Sequence, residues 1–70
     1  MTEYLIVIEG DDESFSAYSP DLPACVAAGD SQREVEQLMR EAIQLHIESL
    51  RAHGDPVPEP KTAARYVAVG

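Results

Sequence analysis

Seventy residues make one small domain, and a chain this short buries only about 60% of the surface its unfolded form exposes, so its core is marginal and a partner subunit would help. Thirteen acids against five bases set the net charge at −8, and Glu3, Glu9, Asp11, Asp12, Glu13, Asp21 and Asp30 stand in the first thirty residues with no Lys or Arg among them. That half repels nucleic acid, which needs basic residues against its phosphates; it suits a basic protein partner, or simply keeps a small domain dispersed.

The first residues, MTEYLIVIEG, lack a basic leader, and the apolar run Tyr4–Ile8 is too short for a signal peptide or a membrane span. The expectation is a soluble, cytoplasmic chain with no membrane contact. Glu3–Glu9 is a continuous run of β-branched and aromatic residues. It reads as a central strand buried on both faces, or as one with a face covered by another subunit. Gly10–Glu13 has turn composition. Ser14–Tyr18 alternates, with Phe15 and Ala17 on one side and Ser14, Ser16 and Tyr18 on the other, which predicts an antiparallel second strand.

Ser19–Pro23 (SPDLP) carries two prolines three apart and is expected to be irregular. Ala24–Ala28 follows as a short third strand whose small side chains let a helix pack close. Asp55–Pro60 (DPVPEP) is a proline-stiffened connector, and Ala64–Val69 (ARYVAV) is expected to form a fourth strand. The order βββαβ predicts a single α+β domain over residues 1–70, a small antiparallel sheet with one long helix on one face.

That helix is the strongest element, read from Ser31 to about His53. Val35, Leu38, Met39, Ala42, Ile43, His46, Ile47 and Leu50 fall on one stripe at helical spacing. Ser31 and Glu34 have the spacing of a reciprocal capping box, and Glu36 and Arg40 that of an i,i+4 ion pair. Glu34 and Glu36 suit the positive end of the helix dipole, and Arg51 and His53 the negative end. Gly54 supplies a left-handed stop and Pro56 prevents resumption.

The residues of types that carry chemistry elsewhere have plainer explanations here. Asp11, Asp12 and Glu13 suggest a divalent cation, but consecutive turn residues cannot all face one ion, and they read as a solvated hairpin tip. Cys25 is the only cysteine, which excludes an intrachain disulfide and fits a reducing cytoplasm. Amid Ala and Val it reads as a small hydrophobe rather than a nucleophile. His46 lies at the edge of the apolar stripe, and His53 fits a helix-end role. There is no Gly-rich phosphate loop, paired His or CxxC. The reading is therefore non-enzymatic, with neither cofactor nor metal.

Tyr18-Ser19-Pro20-Asp21-Leu22-Pro23-Ala24-Cys25-Val26, followed by Gly29-Asp30-Ser31 and an acidic amphipathic helix running into Asp55-Pro56-Val57-Pro58, resembles the HicB-like antitoxins over residues 3 to about 60. The resemblance implies a partial RNase H-like βββαβ layer that binds a small mRNA-cleaving HicA toxin and covers its active-site histidine. Together with the acid-only first thirty residues, it points to Asp11, Asp12, Tyr18, Pro20, Asp21, Leu22 and Pro23 as partner-binding residues. Two departures stand out. The family's glycine after the second proline is Ala24 here, and Lys61–Gly70 is too short and too β-like for the carboxy-terminal DNA-binding domain of many members. Direct nucleic-acid binding is accordingly not expected. RNase H chemistry would place carboxylates on the first strand, which is apolar from Tyr4 to Ile8.

Two alternatives remain from the residues themselves: a stand-alone oligomeric domain with no toxin, and a small metal-dependent nuclease using Asp11, Asp12 or His46. Tyr4, Ile6 and Ile8 occupy one face of the first strand, and Leu5 and Val7 the other. One helix covers only one of them, which predicts a homodimer or a higher even-numbered oligomer through the open sheet face or the last strand.

Overall fold

Phe15, Ala17 and Ser19 alternate with Ser16 and Tyr18, and that period of two becomes the middle of the sheet in the computed structural model, which describes residues 2–70. Strands β1 (Val7–Gly10), β2 (Phe15–Ser19) and β3 (Leu22–Gly29) form an antiparallel sheet in the order β1-β2-β3, followed by the helix α1 (Gln32–Ala52). The α+β arrangement anticipated from the sequence is present. Ile8 pairs with Ala17 and Ala17 with Ala27, so these three share the face beneath the helix. The core there is Ala17, Leu22, Cys25, Val35 and Met39, with Tyr4, Ile6, Ile8, Phe15, Ala27 and Ile43 packed around it. The helix lies mostly over β3, where small residues permit close approach, and least over β1.

The helix ends follow their local code. Ser31 is extended (φ −148°, ψ 159°), and its Oγ accepts from the Glu34 N–H at 3.1 Å. The reciprocal half of the box differs: the Glu34 carboxylate reaches the Asp30 N–H, one residue further back, at 3.3 Å. At the other end Gly54 takes φ 71°. Its N–H donates to the Arg51 carbonyl, and that of Asp55 to Leu50, the paired bonds of a Schellman stop. Arg40 donates to the Gln37 Oε1 at 3.0 Å, so its guanidinium is spent there rather than on Glu36.

Four expectations are corrected. The central strand is β2, and β1 is an edge strand that begins only at Val7; before it, Tyr4 and Ile6 lie against the core outside the sheet pairing. Ser19–Pro23 is not irregular. Pro20 and Asp21 make the turn of a tight hairpin, Ser19 pairs with Leu22, and β3 starts there. Pro23 is tolerated because β3 is the opposite edge, where a missing N–H breaks no ladder. The register jumps between Tyr18↔Val26 and Ser19↔Leu22, which leaves Pro23, Ala24 and Cys25 as a bulge that turns Cys25 into the core. Leu38 lies off the buried stripe at 38% exposure, whereas Val35 and Met39 are fully buried. The fourth strand is absent: residues 55–70 have no helix or strand, because a strand forms only against a neighbour and this segment has none on its own sheet. Among the described residues no helix is long and apolar enough to cross a membrane.

Candidate functional site

The residues singled out from the sequence fall at the two ends of β2, about 17 Å apart at roughly 3.3 Å per residue. At one end is the β1–β2 tip. Gly10 is required there, since a side chain on it would collide with the Ser14 carbonyl. The Asp11 Oδ1 accepts from the Glu13 N–H at 2.9 Å and the Ser14 N–H at 3.1 Å. These bonds, that from Glu13 foremost, hold the carboxyl below its ordinary range. Asp11 therefore builds the turn, while Asp12 and Glu13 stand exposed. Beside them a shallow concavity is lined by Glu9, Asp11, Phe15, Ala28 and Asp30, which gathers three carboxylates near the start of the helix. Among the described residues no group of three His, Cys, Asp or Glu is placed to hold a metal ion.

At the other end, Asp21 does something the sequence did not suggest. Its Oδ2 accepts from the backbone N–H groups of Lys61 and Thr62, both at 3.2 Å, and its Oδ1 accepts from the Thr62 Oγ1 at 2.9 Å. Loss of surrounding water pushes its pKa up, but the Thr62 and Lys61 bonds and the Lys61 charge outweigh that and lower it. Nearby the Tyr4 hydroxyl donates to the Pro58 carbonyl. Ser19 is buried and satisfied, its Oγ donating to the Leu5 carbonyl at 2.9 Å. Leu22 is fully buried, so its side chain serves the core and has no surface to offer a partner; Pro23 is exposed.

Between the two ends runs the sheet face that the helix leaves open. Val7 pairs with Tyr18 and Tyr18 with Val26, which sets three apolar side chains in one cross-strand row. Tyr18 is 43% exposed and Val26 64%. Sequence reasoning named Tyr18 but missed Val26 as its neighbour, because that pairing depends on where the bulge in β3 falls.

The other candidates have structural roles. Burial raises the Cys25 pKa, and its Sγ lies 3.9 Å from the Ala42 carbonyl, so the thiol is held away from the thiolate form a nucleophile needs. His46 is half-buried on the stripe. The His53 Nδ1 lies 2.7 Å from the Ser49 carbonyl in the last turn, the helix-end role expected of it.

Comparison with known proteins bears on this surface. The family model described as the HicB-like antitoxin of bacterial toxin–antitoxin systems matches residues 4–69. A UPF0150 protein of Synechocystis is 40% identical over 67 residues, covering 94% of this chain and 85% of the relative. A UPF0150 protein of Thermoplasma acidophilum is 32% identical over 57 residues, 80% of this chain and 83% of its own. An uncharacterized 14.9 kDa protein from the rep–hol intergenic region of Haemophilus phage HP1 is 31% identical over 64 residues, and there the match spans 48% of the phage protein. No solved structure matches the chain.

Proposed function

The chain belongs to the HicB-like antitoxin family, and from that premise we propose that it masks a small, basic, mRNA-cleaving toxin of the HicA type. Family membership carries the antitoxin role; the charge pattern supports the choice of a basic partner. Glu9, Asp11, Asp12, Glu13 and Asp30 lie towards one end of the sheet, within the first thirty residues, which hold no Lys or Arg. An RNase that grips phosphates must itself present basic residues, and the acidic end competes for them with complementary charge. The Val7–Tyr18–Val26 row adds an apolar, aromatic centre of the kind that anchors interfaces. Pro20 and Pro23 flank it at the far end.

In this reading the protein acts by occlusion and carries out no reaction of its own. Asp11 and Asp21 shape the surface through their turn and segment contacts, while Asp12 and Tyr18 meet the partner directly. Coexpression with the HicA-type toxin of the same cells tests it. The parent chain restores growth and blocks mRNA cleavage, and Asp12→Lys weakens binding about tenfold, with the loss shrinking as salt rises. Cleavage undiminished by a molar excess of the parent chain refutes the proposal.

A further inference from the structure

Residues 64–69 (ARYVAV) have strand composition and no strand. Tyr66, Val67 and Val69 stand out in solvent, Val67 at 77% exposure. The root of this segment is nevertheless fixed. Asp21 binds Lys61 and Thr62, and Tyr4 binds Pro58, so the chain is tied to the end of the sheet where the run into β1 begins. An anchored root followed by an unpaired β-forming segment is the arrangement that strand addition uses.

The sheet offers two edges for it. The outer edge of β3 is interrupted by Pro23 and the three-residue bulge, which spoil a ladder. The outer edge of β1 has neither. Charge points the same way: the segment and its root carry Arg65 and Lys61, whereas β1 and its approach carry Glu9 and Glu3. The segment does not lie on its own β1 edge, which leaves that edge open to another chain.

We propose that residues 64–69 of one copy add as a strand to the β1 edge of a second copy, and reciprocally, in a closed two-fold dimer. The antiparallel register that sets Arg65 opposite Glu9 also sets Val67 opposite Val7 and Val69 opposite Leu5 on the open face. On the helix face it sets Tyr66 opposite Ile8 and Ala68 opposite Ile6. A shift of two residues one way places Val69 against Glu3, and the other way places Val67 against Glu9, so only this register matches charge with charge and apolar with apolar. The exchange supplies from the partner the fourth strand that the chain does not form on its own sheet. It goes beyond the toxin-masking reading and stands without it.

Light scattering on the full chain at micromolar concentration reads the outcome. The parent has twice the 7.6 kDa chain mass. Val67→Lys, in a segment outside the core, keeps the parent's helical circular dichroism and falls to the single-chain mass. Arg65→Glu weakens the dimer, and Glu9→Arg added to it restores the doubled mass. A parent at the single-chain mass overturns the proposal, as does a doubled mass that survives Val67→Lys, which would place the interface on the open face. Failure of the double charge reversal to restore association overturns the register.

Discussion

Leu38 and Met39 are neighbours on α1 with opposite surroundings, and truncating each to alanine separates burial from helix propensity. Leucine, methionine and alanine are all good helix formers, so the propensity change is small and nearly equal for both. Met39 is fully buried among Ala17, Leu22, Cys25 and Val35. Met39→Ala therefore loses the transfer energy of the side chain and opens a cavity under the helix, a cost of about 2–5 kcal/mol. Leu38 is 38% exposed, so roughly three-fifths of a full burial worth ~1.5–3 kcal/mol is at stake, and water fills the space it leaves. Its loss is about 1–2 kcal/mol. In a domain of this size each kcal/mol moves the midpoint of melting by roughly 4–8 °C, so the two variants are easily resolved. Urea titrations of parent and variants at one protein concentration measure both values. Leu38→Ala costing as much as Met39→Ala would refute the placement of the core stripe, and an unchanged melt for Met39→Ala would refute the core itself.

Ser31→Ala removes the acceptor for the Glu34 N–H and is expected to cost ~1 kcal/mol by urea titration. Asp30→Ala costs less, since Asp30 contributes its backbone N–H to Glu34 and that group survives the change. Asp21 is held below its ordinary value of 3.8, so its contribution is complete above that value and is lost as pH falls through the lower folded-state value. The Thr62 amide resonance, followed by NMR, should titrate with a midpoint below 3.8, and a midpoint at or above it would show that Asp21 does not hold this segment.

The helix was legible almost to the residue because its signals are local. Ser31 reaches an amide three residues on, and Gly54 closes the end with bonds that span only a few positions. The apolar stripe was right except at Leu38, which lies at its margin, where the width of the covering sheet decides burial. The strands were legible as segments but not as a sheet. Composition marked the run from Tyr4 to Ile8 as buried on both faces, and only one face of it, Tyr4, Ile6 and Ile8, packs on the core. Its edge position depends on which strand pairs with which, a property no single segment carries.

The candidate surface divides along the same line. The first thirty residues without Lys or Arg, the turn at Asp11 and the motif from Tyr18 to Val26 are properties of the sequence, and they sufficed to place the chain beside the HicB-like antitoxins. Only the tertiary structure decided that Leu22 is core, that Val26 stands beside Tyr18, and that Asp21 holds Thr62 from 41 positions away. Those outcomes rest on the bulge in β3 and on the path of the chain after the helix. Caps and hairpin tips close within a few residues and are written where they occur, whereas a register or a contact across the fold is chosen among competing pairings by the packing of the whole.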